Sequence, residues 1–158
     1  MLKNIPKYII GVAIPLAIGA LSALLTRGNM NIYSEIELPP LAPPSILFPI
    51  VWTVLYVLMG ISSAQIFIDK NINPKDAALG LRYYAVSLFF NFFWSILFFN
   101  LRAFLISFIW LAVLLFLIIK TIIHYRKVTP WAAYLQIPYA VWVAFAGYLN
   151  FAIFLLNP

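Results

Sequence analysis

Pro138-Tyr139-Ala140-Val141-Trp142-Val143-Ala144-Phe145-Ala146-Gly147-Tyr148-Leu149-Asn150 lies inside a long apolar run near the C-terminus. At 3.6 residues per turn, Tyr139, Trp142, Ala146 and Asn150 fall on one face, which reads aromatic, aromatic, small, polar. An amide in hydrocarbon needs a partner, so this is not a lipid-facing surface. Trp142 also lies far from either end of its run, whereas membrane tryptophans collect at the interfaces. Two readings fit: the wall of an internal cavity, or a helix contact in which small and amide residues hold neighbours together.

Working outward, composition sets the class. Of 158 residues 65% are hydrophobic and 9% charged, where a soluble domain carries about 25% charged residues. The mean hydropathy is +1.02. The sequence therefore predicts an all-α membrane protein, a single bundle of five transmembrane helices over 1–158. Aromatics reach 18%, which favours a ligand-lined interior or rich interfacial belts. The absence of Cys removes disulfides, thiolate ligands and cysteine nucleophiles. A net charge of +6 raises the question of nucleic acid, but the basic residues are scattered at helix ends, so no nucleic-acid partner is expected.

The spans are expected at about 8–25, 45–68, 83–101, 103–123 and 131–156. The first follows Lys3 and Lys7 like a signal peptide, but its length suits a retained span. Gly11, Pro15, Gly19 and Ser22 give it a small-residue face, and Pro15 should kink it. Residues 26–44 form the longest polar segment and contain Pro39-Pro40-Leu41-Ala42-Pro43-Pro44, which forbids a regular helix. This loop is a candidate lid or a plain connector. In the second span Trp52, Tyr56, Met59 and Ser63 share a face. In the third, Asn91, Trp94, Ser95 and Phe98 do. Pro138 should kink the fifth.

Five spans place the termini on opposite sides. The N-terminal side then holds Lys3, Lys7, Lys70, Lys75, Arg82, Lys120, Arg126 and Lys127, against Arg27 and Arg102 on the other. The excess of basic residues predicts a cytoplasmic N-terminus and an outer C-terminus, in what is expected to be a bacterial cell membrane. The proline loop faces outward, and Trp52, Asn91, Trp94, Phe98, Trp142, Ala146 and Asn150 converge on the outer half of the bundle beneath it.

Mid-span positions carry no Asp, Glu, Lys, Arg or His, which argues against ion pathways, proton relays and general acid–base chemistry. The single His, His124, belongs to the basic rim at the end of the fourth span, so no metal site is expected. With no Cys and no buried His, an iron porphyrin lacks its usual axial ligands. Trp and Phe faces instead suit a flat, apolar, aromatic ligand held without coordination, and no resident cofactor.

Three blocks resemble the TspO/MBR family, the translocator proteins or tryptophan-rich sensory proteins, also called peripheral-type benzodiazepine receptors. They are Pro39-Pro40-x-Ala42-Pro43-Pro44 with Phe48-Pro49-Ile50-Val51-Trp52-Thr53-x-Leu55-Tyr56-x-Leu58-Met59-Gly60; Asn91-Phe92-Phe93-Trp94-Ser95 with Phe98-Phe99; and Pro138-Tyr139-x-x-Trp142 with Phe145-Ala146 and Tyr148-Leu149-Asn150. The resemblance implies a five-helix bundle, usually a homodimer, that binds protoporphyrin IX or related tetrapyrroles, and isoquinoline carboxamide or benzodiazepine-type drugs, under the first loop. Carried onto this chain, it implies ligand contacts from Tyr33, Pro43, Trp52, Asn91, Trp94, Trp142, Ala146 and Asn150. The expected role is a sensor or regulator of tetrapyrrole or stress metabolism. Two alternatives go with it. One is light- and oxygen-dependent degradation of protoporphyrin, for which Trp52 and Trp142 match the implicated tryptophans. The other is facilitated translocation of porphyrin or lipid. The family's first loop often reads Trp-Tyr, then Lys-Pro-x-Trp; here Ile32-Tyr33 and Leu38-Pro39-x-Leu41 stand in those positions. After Tyr148 there is no Lys or Arg, so the sterol motif of animal members has no counterpart.

Overall fold

The computed structural model describes residues 2–158. Five helical segments are long and apolar enough to cross a membrane: Leu2–Asn29, Leu47–Ile68, Pro74–Asn100, Phe104–Arg126 and Pro130–Leu156. The elements are α1 (Ile5–Thr26), a one-turn α2 (Ile32–Glu35) in the first loop, α3 (Leu47–Ile68), α4 (Pro74–Ser95), α5 (Phe104–Arg126), a short α6 (Pro130–Tyr134) and α7 (Ile137–Leu156). No strand occurs among the described residues. The helices follow one another round a ring: α1 packs on α3 and α4, α4 on α5, α5 on α7, and α7 touches α3 to close it.

Two boundaries differ from the sequence reading. The third span begins at Pro74, well before 83. Its first turns carry Lys75, Asp76 and Arg82 and are too polar to register as apolar, yet the start is well marked. Asn73 caps it by accepting from the Asp76 backbone N–H, and Pro74 occupies the first turn. In the fifth span the break falls before Pro138. Helix α6 ends at Tyr134 and α7 restarts at Ile137, so Pro138 opens a helix where its missing N–H is harmless. Pro15 lies inside α1, which runs on from Ile5 to Thr26.

Away from the first loop the bundle is solid. Apolar association is not driven by water here, so close packing and interhelical hydrogen bonds hold the helices. A Cβ on Gly60 would stand 2.5 Å from the Gly11 carbonyl oxygen, so α1 and α3 cross in direct backbone contact. Gly80 likewise lets the fully buried Tyr125 ring lie on α4, where a Cβ would meet it at 2.6 Å. Hydroxyls and amides stitch the same half together. Ser62 Oγ donates to the Ala132 carbonyl at 2.6 Å, Ser63 and Tyr125 share a hydrogen bond at 2.8 Å, and Gln136 Nε2 donates to Ser62 Oγ at 3.2 Å. At its end, Thr129 Oγ1 and Gln65 Nε2 both donate to Asp69 Oδ2 at 2.6 Å, and Tyr8 donates to Gln65. His124 pairs with Asp76 at 2.6 Å and stacks on Tyr83. These groups sit with the basic residues expected on the N-terminal side.

Candidate functional site

The other half of the bundle is hollow. A cavity of about 600 Å³ opens where the end of α1, the start of α3, the end of α4 and the end of α7 meet. Its size lies within the usual range for small-molecule pockets, roughly 300–1,000 Å³.

The floor is a three-residue hydrogen-bonded node. Tyr56 Oη donates to Asn91 Oδ1 at 3.2 Å, and Asn91 Nδ2 donates to Tyr139 Oη at 2.8 Å. One amide thus satisfies two buried phenols from different helices, which is the partner that a mid-membrane Asn requires. Tyr56 reaches across only because Gly19 of α1 has no side chain; a Cβ there would lie 2.3 Å from its ring. Trp52 stacks on Tyr56 at 5.6 Å and meets Tyr139 edge-on at 6.2 Å, so its indole is fixed on the wall above the node.

A second wall comes from α4. Trp94 stacks on Phe98 at 5.3 Å, and its Nε1 donates to Asn150 Oδ1 of α7 at 3.0 Å. Asn150 Nδ2 donates in turn to the Phe104 carbonyl at 2.7 Å, so its amide ties three helices together. Past Ser95 the helix widens into a π turn, Ile96–Asn100, closed by the Leu101 N–H on the Ile96 carbonyl at 3.1 Å. Phe98 and Phe99 line the cavity from this turn, and such turns recur at functional sites. The third wall is α1, through Leu16, Gly19, Ser22, Ala23 and Thr26.

The roof is the first loop, through Met30, Tyr33, Ser45 and Ile46. It is tethered rather than free. Tyr33 Oη donates to the Pro43 carbonyl at 2.6 Å and Tyr148 Oη to the Pro40 carbonyl at 2.8 Å. Glu37 and Asn157 exchange two hydrogen bonds at 3.0 Å, and Arg102 pairs with Glu35 at 2.7 Å. The proline run makes a tight turn. The Ala42 N–H reaches the Pro39 carbonyl at 3.3 Å, Pro40 takes the second position, and Leu41 has φ 70°. That is the pattern of a type II turn, with a leucine where glycine is usual. Burial pushes the Tyr33 phenol up from its ordinary value, so it stays a donor.

Of the residues expected at the site, Tyr33, Trp52, Asn91, Trp94, Ala146 and Asn150 all line this one cavity. Pro43 and Trp142 do not. Pro43 stands behind the roof as acceptor for Tyr33. Trp142 lies against Phe48, ring centroids 5.8 Å apart, and Phe48 is the residue that faces the cavity. The Trp142 Nε1 is buried with no hydrogen-bond partner. Positions 139, 142, 146 and 150 span a broad helical face, and the first turn of α3 covers its edge. Sequence reading missed the α1 wall, because a stripe of small residues reads first as a helix contact; Gly11 has that role, while Gly19 and Ser22 edge the cavity. Among the described residues no group of three or more His, Cys, Asp or Glu side chains comes together to hold a metal.

An aromatic cavity in the loop-side half of five membrane helices, with Asn91 and Trp94 on its walls and the first loop as its roof, carries much of the arrangement that the sequence motifs anticipated, and the TspO/MBR family profile matches residues 11–156. The chain belongs to the TspO/MBR family. Its relatives include the tryptophan-rich protein TspO of Chlorobaculum tepidum, 31% identical with both chains fully covered. The tryptophan-rich protein TspO of Archaeoglobus fulgidus is 37% identical over 98% of this chain and 99% of its own. The translocator protein of Bos taurus is 34% identical over 84% of this chain and 79% of its own. As a TspO/MBR member with five such helices, the chain is a multi-pass membrane protein.

Proposed function

We propose that this TspO/MBR protein binds porphyrin-type tetrapyrroles and similar flat hydrophobic molecules in the cavity beneath the first loop. It acts through that occupancy as a sensor or regulator of tetrapyrrole or stress metabolism. The observation that carries this reading is a cavity of about 600 Å³ walled by Phe48, Trp52, Trp94 and Phe98. Ring faces of this kind hold a planar conjugated ligand by stacking and dispersion, without a metal–ligand bond. The names of the relatives, tryptophan-rich sensory protein and translocator protein among them, favour a binding and sensing role. The test is quenching of Trp fluorescence by protoporphyrin IX in nanodiscs. Saturable quenching that is lost in Trp52→Phe supports the reading, and unchanged quenching sinks it.

The orientation belongs to the same proposal. With eight basic residues on the N-terminal side, the N-terminus is cytoplasmic and the cavity serves the opposite leaflet. Cysteine labelling at Lys3 and Pro158 checks this, because only the outer site reacts with an impermeant reagent. We also propose a homodimer, assembled through apolar outer helix faces and read by crosslinking in the membrane. A photo-oxidative role would want Trp52 and Trp142 against one ligand. Phe48, which stands on Trp142, makes binding the better-supported reading.

A further inference from the structure

The proline turn, residues 39–44, belongs to the first loop, yet none of its residues lines the cavity. It lies instead on the outer flank of α7. Val141, Ala144, Tyr148, Phe151 and Leu155 are all exposed and recur every three or four residues, so they form the stripe that α7 turns to lipid. Tyr148 is the polar member of that stripe, and its hydroxyl donates to the Pro40 carbonyl at 2.8 Å.

Two tethers fix the depth of the turn. The exchange with Asn157 holds Glu37 level with the end of α7. Tyr148 precedes Asn157 by nine residues, about 13 Å along the axis at 1.5 Å per residue. Residues 37–39 are not helical, and three extended residues span about 10 Å. From Glu37 the chain therefore descends beside α7, by the level of Leu155 and Phe151, until Pro40 meets the Tyr148 hydroxyl.

Backbone that descends among lipid must satisfy its own polar groups. Pro39, Pro40, Pro43 and Pro44 have no N–H to satisfy. Their carbonyls accept from the Ala42 N–H at 3.3 Å, the Tyr148 hydroxyl at 2.8 Å, the Tyr33 hydroxyl at 2.6 Å and the Leu47 N–H at 3.0 Å. No charged residue stands between Glu37 and Asp69. At the tip, Leu41 is 80% exposed with φ 70°, on a backbone that favours glycine. A large apolar side chain on that backbone gains only where it leaves water.

We propose that the proline turn is a membrane-seated wedge: Tyr148 pins it to the lipid-facing flank of α7, and Leu41 enters the acyl-chain boundary of the loop-side leaflet. The partner of this surface is the bilayer itself. The inference goes beyond the ligand reading and does not depend on it.

The chain has no Cys, so Leu41→Cys supplies a unique thiol for a nitroxide on the full-length protein in nanodiscs. Oxygen concentrates in lipid and a nickel chelate stays in water, so power saturation with each reports the surroundings. Leu155→Cys on the lipid stripe and Ser34→Cys, next to the Glu35–Arg102 pair, are the references. Position 41 should match 155, with oxygen access high and chelate access low. A match to 34 overturns the proposal. So does low access for both, which would mean that a protein surface, such as a second copy, covers Leu41. The unlabelled thiol gives a readout free of the nitroxide's own affinity for lipid. It should react with a charged, impermeant thiol reagent about tenfold more slowly than the Ser34→Cys thiol, because apolar surroundings disfavour the thiolate. Equal rates overturn the proposal. Adding Tyr148→Phe to Leu41→Cys should bring the rate up toward that of Ser34→Cys, and an unchanged rate overturns the role given to Tyr148.

Discussion

The two halves of this bundle are built from the same helices and nearly the same residue types, yet one is solid and the other hollow. In the solid half, glycine brings backbones together: Gly11 against Gly60, and Gly80 against Tyr125. Serine, glutamine and tyrosine then tie the helices together with buried hydrogen bonds. In the hollow half the small residues of α1 have no helix opposite them. Only Gly19 is filled, by Tyr56, and that contact marks the border between the two regimes. Beyond it, large rings stand on the walls and are braced by their neighbours, Trp52 by Tyr56 and Tyr139, Trp94 by Phe98 and Asn150. Packing and emptiness therefore come from what faces a small residue, and not from the small residue itself.

That contrast can be broken at four places. The largest effect is expected in the solid half. Gly60→Leu forces a side chain into the α1 backbone and should destabilise by about 3 kcal/mol or more. Thermal unfolding in detergent reads it, and a near-normal melting temperature would mean that the helices do not touch there. At the border, Asn91→Leu strands the Tyr56 and Tyr139 phenols and should cost about 2 kcal/mol. The triple change that also makes Tyr56 and Tyr139 Phe should recover much of that loss. In the hollow half, Trp52→Leu should weaken protoporphyrin binding about tenfold, ~1.4 kcal/mol, with stability little altered. Trp142→Leu should weaken binding less, because Phe48 stands between it and the cavity; an equal loss in both would put Trp142 on the wall. The smallest effect belongs to the exposed tether. Arg102 with Glu35 should show a coupling of only about 0.5 kcal/mol in a double-mutant cycle, falling in high salt.

Hydropathy made the five spans and their order legible, because lipid imposes length and apolarity on every crossing. The walls given by α3, α4 and α7 were legible too, since Trp52, Asn91, Trp94, Ala146 and Asn150 are misfits on a lipid-facing surface. The start of α4 was not, although Asn73-Pro74 is a good helix opening, because charged first turns look like a loop to a hydropathy window. Trp142 was misplaced for a reason that no helical wheel contains: whether a ring at the edge of a face reaches the interior depends on what the neighbouring helix puts before it, here Phe48. The α1 wall was hidden by the double meaning of small residues, which the sequence alone leaves open.

The widened turn at Ile96–Asn100 has one more consequence. A π turn holds one residue beyond what an α-helix needs, so everything after it is rotated by about 100° relative to an uninterrupted helix. Removing a single amino acid from this turn would restore regular winding, swing Phe98 and Phe99 away from the space beside Trp94, and leave most of the length of the third span unchanged. The breadth of the chamber is thus adjustable by indels at one spot, a route by which descendants of this chain could change what they accommodate without redesigning a membrane crossing.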